Sequence, residues 1–307
     1  MQSAALRELG QPSAALAVLA DRLDAIERCG VPEVVLLAYR TLASVALDQG
    51  DERRALHVLQ NLEAFAARRE LPRLALYALA DAVRIHAQRS RLDTAAQLLA
   101  KLSALVGSFD EHELQPLRPQ ARLVQAMASA QVALARADEA GALHELESAE
   151  ALAAHIGRMG ELLTVRALRA VLLAASGDPG ANSLLSEAAA LADIGGMQRV
   201  LLDAHPDVAR LLGHLSRQGS TVAAAIAGLD KPAQRIVPAH AGALLTPKES
   251  HIISLLATGL SNKLIARAME ISDETVKWHL KNLFAKLSAG SRKHAVGRAR
   301  LLGLLPD

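Results

Sequence analysis

The sequence predicts an all-α protein: a helical-repeat array followed by a small domain of four helices. Three observations predict it. First, the chain is 51% hydrophobic and 2% aromatic. Ala and Leu dominate, β-branched runs are scarce, and that composition favours helix throughout. Second, one short pattern recurs along the first two thirds. Third, the last sixty residues carry four helix-start signals in close succession.

The recurring pattern is a helix, a small or polar turn, an acidic residue, and a second helix with Ala and Leu in register. It reads "QGDERRALHVL" (49–59), "SRLDTAAQLLAKL" (90–102), "RADEAGALHEL" (136–146) and "SGDPGANSLL" (176–185). The markers Asp51, Asp93, Asp138 and Asp178 are spaced by 42, 45 and 40 residues. An Asp near a helix N-terminus caps free N–H groups and suits the positive end of the dipole. Ala lets paired helices approach and Leu fills the seam between pairs. No pair buries its apolar face alone, so pairs must stack.

In order, this places helices near 14–28, 33–48, 52–69, 72–89, 93–106, 117–136, 138–157, 160–175 and 181–194. The first residues, "MQSAALRELGQPSAALAVLADRLD", read as amphipathic helix and not as a signal peptide. "GSFDEHELQPLRP" (107–119) reads as a longer loop. "MQRVLLDAHPDVARLLGHL" (197–215) reads as a short helix, a break at Pro206 and another helix. Residues 216–244 have no sustained period. They read as a helix end and then a linker from about 229. Three regions follow: 1–215, the repeats, for sensing or interaction; 216–244, the connection; and 245–307, the terminal domain. "LGQPSAALAVL" (9–19) fits the repeat one period early, with Gln11 in the acidic slot. The array would then start mid-pair, so the chain is expected to be the C-terminal part of a longer protein.

Charge separates the regions. Residues 246–307 hold ten Lys/Arg against five Asp/Glu, a net +5, whereas the remaining 245 hold 24 against 27, a net −3. That asymmetry points to an anionic partner at the C-terminus.

The terminal helices are well punctuated. Thr246-Pro247-Lys248-Glu249 offers an N-cap, a proline at the first helical position and a capping-box glutamate. Ile252, Ile253, Leu255 and Leu256 follow, up to Gly259. Ser261 caps a short helix with Leu264, Ile265 and Ala268, and Ser272 caps a longer one, 273–287. Ser291 caps the last, with Ala295, Val296, Ala299 and Leu302. A short helix, a tight turn and a longer helix make a helix-turn-helix.

At 100° per residue, Val276, Leu280, Leu283, Phe284 and Leu287 share one face of the longer helix. Trp278, the only tryptophan, lies about 160° from that stripe, with Glu274 and Lys281 beside it and Lys277 at the border. Thr275, His279, Asn282 and Lys286 form a polar flank. An outward indole between two lysines suits a helix in a DNA major groove, where lysines reach guanine acceptors or phosphates. The alternative is packing of the indole on a protein, with the chain acting as a helical-repeat adaptor.

The strings "LTPKE", "GLSNKLIA", "TVKWHLKNLFAKL", "SR", "AV" and "LGLL" make Leu245–Leu305 resemble the LuxR-type helix-turn-helix domain of bacterial transcription regulators. The repeats resemble tetratricopeptide-like arrays and the large MalT-like branch of that family. The resemblance implies a sequence-specific transcriptional regulator; the single Cys29, with no Cys/His pair at zinc-site spacing, makes a reducing, cytoplasmic compartment the expectation. It implies base reading by Lys277, Trp278 and Lys281, and backbone contacts by Asn262, Lys263, Thr275 and His279, with which Ser261 and Arg292 are grouped. The last helix is where relatives often dimerise, making Ala295, Val296, Ala299 and Leu302 the dimerisation candidates. The partners expected are double-stranded DNA, a second copy on DNA, RNA polymerase, and an inducer or protein at the repeats; a membrane is not among them. Two positions depart from the family pattern: Leu264 stands where Glu is common, and Ser288 where Gly is common.

The chain has no G-x-x-x-x-G-K-[ST], G-x-S-x-G or H-E-x-x-H, and its single Cys29 excludes an internal disulfide. No cofactor and no enzymatic activity are expected. No run of strands suggests a receiver domain, and no segment approaches ~18 uncharged apolar residues.

Overall fold

The structure, a computed structural model, describes residues 2–20, 22–110, 114–229, 245–287 and 289–305. Among them are eighteen α-helices, two 3-10 turns and no strand. The chain divides into two compact units: Met1–Asn61 with Pro232–Asp307, and Leu62–Lys231. The helix α5 (Glu52–Arg69) runs across the division.

The second unit holds α6 (Pro72–Gln88), α7 (Leu92–Gly107), α8 (Arg118–Ala135), α9 (Glu139–His155), α10 (Met159–Ala175), α11 (Gly180–Gly195), α12 (Gln198–Ala204), α13 (Pro206–Arg217) and α14 (Thr221–Gly228). Successive helices pair, and α6 also touches α8 as α10 touches α12. This nearest-neighbour packing is what a repeat array requires. Between α8, α9 and α10 the seam is Ala126, Ala130, Ala142, Ala149 and Ala153 against Leu123, Leu146, Leu168 and Leu172, as the Ala/Leu register predicts.

The acidic markers act as caps in three of four turns. Asp51 accepts from Arg54 N at 3.1 Å, Asp138 from Gly141 N at 2.9 Å and Asp178 from Gly180 N at 2.7 Å. Asp93 instead lies within the first turn of α7. The residues before the three capping markers, Gly50, Ala137 and Gly177, have φ between 56° and 74°. This left-handed residue lets the chain reverse from one helix into the next.

Three details differ from the expected elements. The helix expected over 14–28 is two, α2 (Pro12–Ala20) and α3 (Leu23–Cys29), preceded by α1 (Gln2–Glu8). Arg22 N bonds Leu19 O at 3.1 Å, an i→i+3 turn that breaks the rod. The loop after α7 is pinned by Phe109, which is fully buried in a 3-10 turn. The segment expected as a helix end is a separate capped helix, α14, whose Ala223 and Ile226 are fully buried in the core. The linker expected near 229–244 lies, from 230 onward, outside the described residues.

The first unit joins α1–α3, α4 (Pro32–Asp48) and the start of α5 to α15 (Pro247–Ala257), α16 (Asn262–Ala268), α17 (Asp273–Lys286) and α18 (Arg292–Leu301). Among its N-terminal helices, Arg7 bridges Asp48 at 3.0 Å.

Candidate nucleic-acid interface

The last four helices form around the caps that their sequence offers. Thr246 Oγ1 accepts from Glu249 N at 3.3 Å while Glu249 Oε2 accepts from Thr246 N at 2.7 Å, a complete capping box. Ser261, Ser272 and Ser291 each accept from the backbone N–H three residues on, those of Leu264, Thr275 and His294. The departure at Leu264 therefore removes only the reciprocal half of the Ser261 cap; the other departure, Ser288, lies outside the described residues.

These helices close on one core. Ile252, Ile253 and Leu256 of α15, Ile265 of α16, and Val276, Leu280 and Leu283 of α17 meet Ala295 and Ala299 of α18. Burying the Val276/Leu280/Leu283 stripe sets the rotation of α17. The indole of Trp278 consequently stands on the opposite side, 60% exposed, with its ring edge against His279 at 4.9 Å.

The polar residues around it are not all equally free. Lys281 and Lys263 are exposed and make no ion pair among the described residues. Lys277 is exposed but clasped by two acids of its own first turn, Glu274 at 2.7 Å and Asp273 at 3.4 Å. Their hydrogen bonds and charges, those of Glu274 foremost, raise its pKa above the ordinary lysine value. Thr275 shares a hydrogen bond with the Ser272 hydroxyl at 2.8 Å, and His279 is half-exposed. Arg292 donates to Asn262 Oδ1 at 2.8 Å and to the Leu260 carbonyl, so two expected backbone contacts are tied to each other. The i,i+3 and i,i+4 spacing of Asp273, Glu274 and Lys277 was a readable signal for the clasp.

Two further ties had no signal in the sequence. Glu249, nearly fully buried, also accepts from Lys286 Nζ at 2.7 Å, which binds the start of α15 to the end of α17. Burial pushes the Glu249 carboxyl up, but the hydrogen bonds from Lys286 and Thr246 outweigh it and hold the pKa below the usual value. Arg298 of α18 is 4% exposed and donates to Glu27 of α3 at 3.1 Å.

Three of the four expected dimerisation candidates are buried. Ala295 and Ala299 are fully buried and Leu302 is 5% exposed, all within the domain's own core. Of the four candidates only Val296 is partly exposed.

Among the described residues, no group of three or more His, Cys, Asp or Glu could hold a metal ion, and no helix is long and apolar enough to cross a membrane.

Comparison with known proteins agrees with the geometry. Residues 243–299 match the family model GerE, described as bacterial regulatory proteins, luxR family. The chain is similar to the HTH-type transcriptional regulator AlkS of Alcanivorax borkumensis, 27% identical over 289 residues, covering 90% of this chain and 32% of that protein. AlkS of Pseudomonas putida is 24% identical over 298 residues, with 92% and 32% covered. The monoamine regulon transcriptional regulator of Klebsiella aerogenes is 50% identical over 56 residues, 18% of this chain and 25% of that one. The chain thus spans about a third of the length of the AlkS proteins it matches. No solved structure matches it. A short capped helix, a tight turn, a longer helix with an outward indole, and the family match over the same residues together make the C-terminal segment a LuxR-family helix-turn-helix domain.

Proposed function

We propose that the chain is a sequence-specific DNA-binding transcriptional regulator whose α17 enters the major groove. The observation that carries this reading is the exposed Trp278 on the face of α17 opposite its buried stripe. In a helix-turn-helix the N-terminal part of the second helix meets base edges, and the first helix crosses the backbone. Lys277, Trp278 and Lys281 are then the base-reading set. Ser261, Asn262, Lys263, Thr275, His279 and Arg292 supply phosphate contacts that fix orientation. Two copies read related half-sites on DNA, and the dimer contact lies outside the buried Ala295/Ala299 surface. The helical repeats, residues 1–215, sense or relay an inducer or partner signal, and RNA polymerase is the downstream partner.

The test is selection from a random duplex pool with the full chain at ~100 mM salt, followed by titration of Trp278 fluorescence. A saturable change with selected duplex, and a much weaker one with scrambled duplex, is expected. Selection that yields no preferred sequence would overturn the proposal.

A further inference from the structure

The first turn of α17 carries a second potential reading group beside the indole. Glu274 lies one turn before Trp278, and its side chain is 82% exposed. Its Oε1 accepts from Lys277 Nζ at 2.7 Å, and Asp273 Oδ2 lies 3.4 Å from the same ammonium. The exposed surface therefore offers an acceptor and a donor side by side.

That pattern has a complement in DNA. On the major-groove edge of a C·G pair, the cytosine N4 amino donor sits next to the guanine O6 acceptor, with N7 beyond. N4 and O6 are hydrogen-bonded to each other, so they lie about 2.9 Å apart. The spacing of the protein pair, 2.7 Å, is nearly the same. We propose that Glu274 and Lys277 read one C·G base pair as a unit, the carboxylate accepting from cytosine N4 and the ammonium donating to guanine O6 or N7. The inference rests on the reading of α17 as the recognition helix.

The chemistry rejects two of the other three arrangements and disfavours the third. G·C or T·A turns a carbonyl oxygen toward the carboxylate. A·T keeps an amino donor but sets the adenine N7 lone pair beside the carboxylate and leaves the ammonium only thymine O4. The pair is neutral overall, so it adds selectivity while exposed Lys263, Arg267, Lys281 and Lys293 supply the attraction to phosphate.

The experiment compares the full-length chain with its Glu274→Ala and Lys277→Ala variants. Each is put through selection from random duplex, then titrated on duplexes with single base pairs reversed. The wild-type chain should favour C·G over G·C at one position in each half-site by about tenfold or more. Glu274→Ala should bring that ratio to within about twofold, because a lone lysine can follow guanine to either strand. Lys277→Ala should lose selectivity at the same position, and all other positions should be unchanged. A Glu274→Ala chain that keeps the wild-type orientation ratio, or loses affinity equally on every duplex, overturns the inference. If the wild-type chain itself selects nothing, the recognition-helix reading fails instead.

Discussion

Arg298, in the last helix of the helix-turn-helix domain, donates to the carboxylate of Glu27, 271 positions earlier in the chain, at 3.1 Å. The same Glu27 oxygen accepts from the Tyr39 hydroxyl at 2.8 Å, and Arg298 Nε also reaches the Leu287 carbonyl at 3.4 Å. Nearby, a Cβ on Gly303 would collide with the Arg54 guanidinium. The face of α18 turned this way is therefore occupied by the chain's own N-terminal helices.

Removing Glu27 should loosen that contact. Glu27→Ala leaves the buried Arg298 guanidinium without its anion, a loss of about 1–3 kcal/mol. The urea midpoint of the transition reported by Trp278 fluorescence should fall. An unchanged midpoint would show that the pair contributes nothing in solution.

Acid should weaken the same domain through Glu249. Its pKa in the folded state lies below the ordinary carboxylate value because Lys286 and Thr246 bind the ionised form. A depressed carboxylate adds stability above its unfolded pKa, near 4.3, and loses it as pH falls through the folded value. The domain's melting temperature should drop on acidification below about pH 4.5. Glu249→Gln should flatten that decline and cost about 1 kcal/mol at neutral pH, because the neutral amide can still accept from Thr246 N but gives up the charge paired with Lys286. Thermal melts of both proteins between about pH 3 and 7 check this; parallel curves would contradict it.

The residues proposed to face DNA should separate by role. Trp278→Ala should leave stability within about 0.5 kcal/mol, since the ring is mostly exposed, while weakening binding to selected duplex by roughly tenfold. Lys281→Ala should relax selectivity at one base position by about 1–3 kcal/mol. Lys263→Ala should weaken all duplexes alike and reduce the salt slope by about 1. Fluorescence anisotropy over a salt series distinguishes the two lysines; identical profiles would refute the division.

Ala299 should behave as a core position. Ala299→Leu forces extra methyl groups into a filled space, at about 1–3 kcal/mol. Thermal melting by circular dichroism should register the loss. Sedimentation at the same temperature should show no shift of oligomeric state that precedes unfolding.

What could be read without coordinates was local. The caps Thr246, Ser261, Ser272 and Ser291 and the outward turn of Trp278 follow from hydrogen bonds within four residues and from 3.6 residues per turn. The Ala/Leu seams of the repeats follow from the same periodicity. Even locally, periodicity does not disclose that α2 and α3 are separate helices, nor that α14 forms where no period is sustained. Tertiary structure alone decided which distant groups meet: Lys286 with Glu249, Arg298 with Glu27, and the core of α15–α17 with the alanines of α18. Periodicity assigns a residue to a face but does not say what that face packs against, because that depends on how separate segments are placed in space. For this reason periodicity does not disclose that the alanines of α18 pack into the core of their own domain.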